Sequence, residues 1–337
     1  MRGGEKESLL SRYLMLNSSR LWKSAALLLL SLVALGLYFY WPARPKVKRG
    51  MIGETQLAQK PHKGRIAFVA NPAGNWELFL MNGDGTGLVQ LTESPLDERS
   101  PAISPDSEQI AYSTSDGTLW IMTIGTKTPA QLPLPPNRYG YPAWLSDESG
   151  IVYTAYKFTP GNEDADFFVY SFKDQKEQPF LIQTGPQDFP SLAPGTDTLA
   201  YISSLATVLP GLGSRLTQQL WIISPEDSKP IQLLLGSESD TRPAWSPDGK
   251  WIAFSSSRKG NPDLWMISSD GRELVQLTKS PAAETSPTWS PDGQEIAYTS
   301  TESGQMQLVL LNVQTQEIHA LSPFDSKTVE AKDPYWR

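Results

Sequence analysis

The side chains that most often carry catalysis are scarce in this chain of 337 residues. It has no Cys and only two His, His62 and His319, which lie far apart in the sequence. Disulfides, thiolate metal sites and a Cys nucleophile are therefore excluded, and His-based acid–base catalysis is disfavoured. Residues 256–259 match Ser-x-x-Lys, but they fall in a connection between strands rather than on a helix, so they do not predict an acyl enzyme.

Acidic residues offer two further kinds of chemistry. Glu163, Asp164 and Asp166 are close in sequence, as in a Ca²⁺ site, but they lack the full spacing of a calcium loop, and a solvated acidic loop is the better interpretation. Carboxylates brought together by the fold could act as a general acid and base, but the sequence alone does not say which Asp or Glu would meet. We therefore expect no metal and no cofactor.

A repeat beyond residue 64 supplies the elements that must position these groups. A Pro followed two positions later by a large apolar residue recurs at intervals of 41 to 53 residues. Nine residues after each of the first five Pro comes a β-type triplet, such as Ile252-Ala253-Phe254. The pairs are Pro101/Ile103, Pro142/Trp144, Pro190/Leu192, Pro243/Trp245, Pro287/Trp289 and Pro334/Trp336.

Each complete unit predicts four short strands. In residues 243–278 the strands are separated by Pro247-Asp248-Gly249 and Ser269-Asp270-Gly271, residues suited to tight chain reversal. The 25 Gly and 28 Pro of the chain likewise favour short strands over long helices. Four strands in each repeat of this length indicate a propeller blade.

The two ends of the repeat region complement each other. The triplet Ile66-Ala67-Phe68 has no Pro nine residues earlier, and Pro334-Tyr335-Trp336 has no triplet after it. We therefore predict an all-β fold over residues 65–337, a six-bladed propeller in which the C-terminal strand supplies the inner strand of the first blade. Such a ring leaves no open edge that could pair with another chain.

The units resemble the TolB-type, PD40 (WD40-like) propeller repeat. The resemblance rests on Pro-Ala-Trp-Ser-Pro-Asp-Gly-Lys at 243–250, on Asp263-Leu264-Trp265, and on Gln-Leu-Thr at 90–92 and 276–278. It covers residues 65–337 and implies an extracytoplasmic propeller. The α/β domain that precedes the propeller in TolB has no room between residues 42 and 64, so the role of TolB's N-terminal segment in partner binding is not carried over.

The N-terminal region predicts a membrane anchor. Residues 25–41 are uncharged and apolar, and at about 1.5 Å per residue they reach the short end of a membrane span. A signal peptide is the alternative, but a long polar lead and a bulky exit without a small-x-small site disfavour cleavage. We expect a cytoplasmic tail at 1–24, a transmembrane helix at 25–41 and a linker at 42–64.

Charge is divided along the chain. Residues 1–63 carry 11 Lys and Arg against 3 Asp and Glu, whereas the remainder has a net charge of −15. An acidic body repels nucleic acid, which is not an expected partner. Five basic residues flank each end of the predicted span, so charge does not fix its orientation, and the resemblance places the propeller on the extracytoplasmic, periplasmic side of the cell (inner) membrane.

The residues just before each Pro are predicted to ring the mouth of the central channel. Mixed charge there could bind a peptide terminus, a cation or a polar ligand; a solvated rim with local ion pairs is the alternative. The candidates are Glu98, Arg99, Tyr139, Tyr141, Gln187, Asp188, Asp240, Arg242, Glu284, Lys332 and Asp333.

Two insertions lie on the same predicted face. Residues 156–166 lengthen the third blade, and residues 203–218 form a longer apolar connection in the fourth. An exposed apolar loop marks a partner or membrane contact, unless it folds back on its own blade. The candidate partner-binding residues are Tyr156, Phe158, Leu205, Val208, Leu209, Leu212 and Leu216.

These observations predict a single-pass membrane protein whose propeller binds a protein partner, as an accessory or scaffold subunit of an envelope complex. Fold alone does not fix function, so this prediction depends on the missing catalytic groups and on the two insertions. Two alternatives remain: a carbohydrate-active hydrolase or lyase that uses channel-mouth carboxylates, and a sensor of a small extracytoplasmic ligand.

Overall fold

The structure, a computed structural model, describes residues 63–159, 162–209, 213–234, 239–321, 324 and 328–337. The predicted tail, the predicted transmembrane helix and all but the last two residues of the predicted linker lie outside the described residues. Within the residues that are described, no helix is long and apolar enough to cross a membrane.

In the described part of the chain, 24 strands form six antiparallel sheets of four strands each, which are the six blades of a propeller. Blade 1 consists of β24 (Ala331–Trp336), β1 (Arg65–Ala70), β2 (Glu77–Asn82) and β3 (Val89–Gln90). Blade 2 consists of β4 (Glu98–Ile103), β5 (Gln109–Thr114), β6 (Leu119–Thr123) and β7 (Thr128–Gln131). Blade 3 consists of β8 (Arg138–Trp144), β9 (Gly150–Thr159), β10 (Asn162–Ser171) and β11 (Lys176–Leu181).

The remaining three blades follow in chain order. Blade 4 consists of β12 (Gln187–Leu192), β13 (Leu199–Leu209), β14 (Gly213–Ile223) and β15 (Ile231–Gln232). Blade 5 consists of β16 (Asp240–Trp245), β17 (Trp251–Ser256), β18 (Asp263–Ser268) and β19 (Leu274–Gln276). Blade 6 consists of β20 (Glu284–Trp289), β21 (Glu295–Ser300), β22 (Gln307–Asn312) and β23 (Ile318–Ala320).

The predicted closure of the ring is confirmed. Strand β24 pairs antiparallel with β1, with Ile66 opposite Trp336 and Ala70 opposite Ala331. The two backbones also exchange hydrogen bonds between Arg65 and Arg337. Blade 1 is therefore assembled from both ends of the propeller region, and β1 is paired on both sides and is not left as an open edge.

The core lies between neighbouring blades. The predicted triplets are its centre: Ile252, Ala253 and Phe254 are fully buried, and the corresponding residues of the other blades are nearly so. The large residue two positions after the Pro can also join neighbouring blades by a hydrogen bond. Trp289 donates its indole N–H to the carbonyl of Ala244 in the preceding blade at 3.1 Å. The repeat therefore encodes contacts between blades as well as the strands within each blade.

The alternation of strands gives the propeller two faces. The turn face carries the connections between first and second strands and between third and fourth strands, including residues 247–249 and 291–293. The hairpin face carries the connections between second and third strands and those from one blade to the next. The two predicted insertions lie on the hairpin face.

Candidate functional site

The inner strand of every blade is bent at the residue before its Pro. These six residues have φ between 48° and 57°, the left-handed region that non-glycine residues seldom adopt. In each blade the pairing between the first and second strands shifts register around this position. Such a bulge redirects a side chain, here toward the centre of the ring. The six residues are Ser100, Tyr141, Phe189, Arg242, Ser286 and Asp333.

All six bulge residues line a cavity of about 140 Å³ in the middle of the propeller. Three of them, Tyr141, Arg242 and Asp333, were predicted from the sequence, whereas Ser100, Phe189 and Ser286 were not. Each missed residue directly precedes a repeat Pro, so its position in the repeat was available from the sequence. Its unusual backbone conformation was not, because Ser and Phe do not themselves indicate a positive φ.

Arg242 is the centre of this set. Its guanidinium Nη1 lies 3.2 Å from Oδ1 of Asp333, which also accepts a hydrogen bond from the Ser286 hydroxyl at 3.1 Å. The same guanidinium lies 4.9 Å from the ring centroid of Tyr141 and 5.1 Å from that of Phe189. The cation therefore joins side chains from four blades by an ion pair and two cation–π contacts, and the hydrogen bond from Ser286 to Asp333 connects a fifth blade.

The electrostatic balance keeps this centre charged. Burial alone would lower the pKa of Arg242, but the nearby Asp333, Tyr141 and Asp188 raise it by more. For Tyr141 burial has the opposite effect: it raises the pKa of the phenol, which therefore stays neutral beside the guanidinium. A paired cation of this kind can accept an anionic or aromatic group only by giving up part of its present contacts.

The predicted residues three positions before the Pro lie elsewhere. Glu98, Tyr139, Asp240 and Glu284 are buried and do not line the central cavity. Gln187, at the same repeat position, is buried too. The bulge between these residues and the Pro separates their side chains from those that reach the centre.

Glu98 illustrates the environment of this buried set. Its carboxyl accepts hydrogen bonds from the hydroxyls of Thr92 and Ser94 at 2.9 and 2.7 Å. Burial raises its pKa to about 7, and the neighbouring Glu77 adds to the rise. Glu284 repeats the arrangement four blades later, where burial and then Asp263 raise its pKa to about 6. These carboxyls join adjacent blades and lie away from solvent.

Asp240, at the same repeat position in blade 5, pairs with an arginine. It is fully buried, and its Oδ1 accepts a hydrogen bond at 2.8 Å from Nη2 of Arg258. The guanidinium of Arg258 also lies over the rings of Phe254 and Trp265, at 5.2 and 4.9 Å. Asp240 is therefore bound within blade 5 and has no free approach to the channel.

The predicted residues two positions before the Pro lie nearer the hairpin face. Arg99 is half exposed and lies 3.6 Å from Asp97. The ammonium of Lys332 sits 3.8 Å from the ring centroid of Trp76, and burial lowers the pKa of this Lys. Asp188 accepts hydrogen bonds from the Tyr156 hydroxyl at 2.9 and 3.1 Å, yet burial raises its pKa overall.

The two insertions are lengthened strand pairs, which corrects the expectation of loops. Strands β9 and β10 have 10 residues each and β13 and β14 have 11, against five or six for the second and third strands of the other blades. Leu199–Leu209 is rich in β-branched and aliphatic residues and contains no Pro. It therefore continues its ladder instead of leaving backbone groups unpaired.

The candidate partner-binding residues differ in their placement. Leu205 and Leu216 are each 58% exposed and occupy adjacent register pairs, opposite Thr217 and Ala206, so they lie on opposite sides of the β13–β14 hairpin. Tyr156 instead turns inward to Asp188. The side chains of Phe158, Val208, Leu209 and Leu212 lie outside the described residues.

Of the acidic residues predicted in the third blade, Asp166 has a partner within its own hairpin. Asp166 is buried and pairs with the ammonium of Lys157 at 2.5 Å. Among the described residues, no group of three or more His, Asp or Glu is arranged to hold a metal ion.

Comparison with known proteins agrees with this architecture. The family model PD40, described as the TolB beta propeller domain, matches residues 236–333. The Protein TolB homolog of Chlorobaculum tepidum is 36% identical over 96 residues, which cover 27% of this chain and 21% of that protein. The match thus spans about a fifth of the length of this curated relative.

Two solved structures extend the likeness over most of the chain. TolB from Acinetobacter baumannii has a TM-score of 0.68 at 20% identity, covering 84% of this chain and 69% of that one. An oligogalacturonate lyase from Vibrio parahaemolyticus has a TM-score of 0.54 at 16% identity, covering 78% and 76%. Identities this low show a shared fold alone. Residues 65–337 fold as a six-bladed propeller similar to that of TolB, and residues 236–333 within it match the PD40 model.

Proposed function

We propose that this chain is a membrane-anchored, extracytoplasmic propeller that binds a protein partner on its hairpin face, as an accessory or scaffold subunit of an envelope complex. The observation that carries the proposal is the lengthened β13–β14 hairpin, on which Leu205 and Leu216 are both 58% exposed. Exposed leucines at a projecting edge stabilise the monomer little, and they offer apolar area to a partner.

The proposed location depends on the sequence and on the resemblance to TolB. Residues 25–41 would form the membrane span, 1–24 the cytoplasmic tail and 42–64 the linker to the propeller. A propeller held by a single helix on one side of a membrane would present its hairpins to proteins of the same compartment.

The carboxylates considered for a hydrolase or lyase support binding over catalysis. Asp188, Asp240 and Glu284 belong to three different blades, and each has a partner of its own: Tyr156, Arg258 and Thr278 respectively. Glycoside chemistry needs two carboxyl groups that face one substrate bond. The central cavity, at about 140 Å³, also leaves less room than a typical small-molecule site.

The partner surface is tested by charge substitution on the full chain, purified in mild detergent after crosslinking in cells. Replacing Leu205 and Leu216 by Asp should reduce the crosslinked partner by at least about tenfold, as loss of an apolar anchor does. The matched control replaces Ile231 and Ile318, which are 54% and 51% exposed on outer strands, by Asp. Equal recovery of the partner from both double variants would overturn the proposal.

A further inference from the structure

The chain enters the propeller at a fixed point on the turn face. Because β1 is the second strand of blade 1, the residues before it arrive where the other blades have their first turn. The backbone carbonyl of Lys63 accepts a hydrogen bond from the Trp336 indole at 2.7 Å. The side-chain ammonium of Lys63 donates a hydrogen bond to Glu295 at 3.3 Å. A Cβ added at Gly64 would lie 2.7 Å from Pro291 Cγ, so the backbone here is packed tightly against blade 6.

An aromatic groove begins beside this point. We call it the Trp groove: a cavity of about 460 Å³ between the turns of blades 5 and 6, continuous with a second of about 280 Å³ that shares three of its lining residues. The shared residues are Pro247, Trp289 and Pro291, and the second cavity reaches Trp336 and Arg337. The rest of the first cavity includes Trp251, Met266, Asp248, Asp292 and Val313.

The rim of the Trp groove is acidic where the chain arrives. Asp248 and Asp292 line the groove, and Glu295 lies at its rim, so three acidic side chains stand against two basic ones: Lys250, 3.3 Å from Asp248, and Lys63, 3.3 Å from Glu295. Hydrogen bonds from Ser290 and the Gln294 N–H, with the charge of Lys63, lower the pKa of Asp292 against the effect of burial. This rim is therefore anionic at neutral pH and favours a cationic segment.

Residues 45–62, which lead directly to Lys63, have the matching chemistry. They carry Lys46, Lys48, Arg49 and Lys60 against a single acid, Glu54, and include two Pro. Prolines and aliphatic side chains pack readily on tryptophan-lined grooves, and basic residues complement an acidic rim.

We infer that residues 45–62 of this chain bind in the Trp groove of their own propeller, with their basic side chains against Asp248 and Asp292. Reach is not limiting, because neighbouring sheets lie about 10 Å apart and an extended chain covers about 3.3 Å per residue. Three or four residues before Lys63 would therefore span from blade 6 to blade 5. Covalent attachment supplies an effective concentration on the order of millimolar, so weak contacts suffice. This inference does not depend on the proposed partner surface, which lies on the opposite face.

Photocrosslinking in the purified full chain tests the inference. A photoreactive phenylalanine analogue at position 57 should crosslink within the same molecule to peptides containing Trp251, Trp289 or Asp292. Asp248→Lys with Asp292→Lys should lower that yield by at least about fivefold, because both charge contacts become repulsive. The matched control, Asp106→Lys with Asp147→Lys, alters the corresponding turns of blades 2 and 3 and should leave the yield unchanged.

Three outcomes would overturn the inference. One is equal crosslinking in the two double variants. Another is crosslinks that map mainly to the hairpin face. The third is crosslinks between differently isotope-labelled copies, which would make a second molecule the occupant of the groove. Each of the four replaced Asp accepts a hydrogen bond from the backbone N–H two residues further on, so a general loss of folding would affect both double variants alike.

Discussion

The indole nitrogen of Trp336 donates a hydrogen bond to the carbonyl oxygen of Lys63 at 2.7 Å, across 273 positions of the sequence. Trp336 is almost fully buried, and it belongs to the cluster that packs blade 6 against blade 1. The Trp336 side chain thus packs in the core between blades 6 and 1 and also holds Lys63, just before β1, against β24. We call the β24–β1 pairing the seam.

Trp336→Ala should therefore destabilise the propeller strongly. Loss of a buried Trp with its hydrogen bond is expected to cost about 3–5 kcal/mol, measured by urea unfolding of the full chain. Lys63→Ala is the control: the Lys63 side chain is 54% exposed, and its ion pair with Glu295 should contribute less than about 1 kcal/mol. A Trp336 variant as stable as the control would show that the seam contributes little.

Arg242 and Asp333 should be energetically coupled across the channel. Arg242→Met or Asp333→Asn leaves a mostly buried partner uncompensated, and each should cost about 2–3 kcal/mol. A double-mutant cycle by urea unfolding should give a coupling of at least about 1 kcal/mol.

The exposed pair Arg272–Asp270, at 3.5 Å with both side chains more than half exposed, serves as the reference for this cycle. Its coupling should stay below about 0.5 kcal/mol. If both pairs give the same coupling, the central ion pair is no more than another surface contact.

Glu98 should make stability depend on pH. Its carboxyl has a pKa of about 7 in the folded protein against 4.5 ordinarily, because burial disfavours the charged form. The folded state thus holds the proton more tightly than the unfolded state, and this contribution is complete below pH 4.5 and lost as pH rises to about 7. The loss is on the order of 3 kcal/mol at most.

Glu98→Gln should flatten that decline, as measured by urea unfolding at intervals between pH 4.5 and 8. Glu284, with a pKa of about 6, should leave a smaller slope of the same sign until it too is replaced by Gln. Glu108→Gln, at an exposed turn of blade 2, should reproduce the profile of the unmodified chain. A Glu98→Gln variant with an unchanged slope would contradict the assignment.

The predicted membrane span should hold the chain in membranes. The full chain is expected to stay in the membrane fraction after alkaline carbonate extraction and to keep an N-terminal tag. Leu30→Arg with Ala34→Arg should release it, since each charge near the centre of a span costs about 2.5–3.5 kcal/mol. Leu9→Arg with Leu10→Arg, outside residues 25–41, should not. Loss of the tag from the mature chain would indicate a cleaved signal peptide instead.

The propeller itself could be predicted because its repeat is periodic. A constant offset between Pro and triplet located the first two strands of each blade, and the unmatched ends at Ile66 and Trp336 predicted the closure. Both depend on spacing along the chain, which the sequence shows directly.

The central site was less accessible from sequence. Offsets from the Pro did not reveal the bulge, which sends Phe189 to the centre and leaves Asp240 buried within blade 5. Nor did composition separate a loop from a lengthened strand pair at Leu205. In each case the deciding quantity is a backbone dihedral or a pairing register, and both depend on contacts with the neighbouring strand.

The construction of blade 1 from both ends of the propeller region sets an order of events during synthesis. Blades 2 to 6 can form as their residues leave the ribosome, but β1 must wait for residues 331–336 before its inner neighbour exists. Until then Arg65–Ala70 presents unpaired backbone groups, the exposure that chaperones and neighbouring nascent chains would meet first. The pairing of β24 with β1 is also where pulling on the two termini would first separate the ring, because among the described strands it is the one pair of sheet neighbours that are not consecutive in the chain.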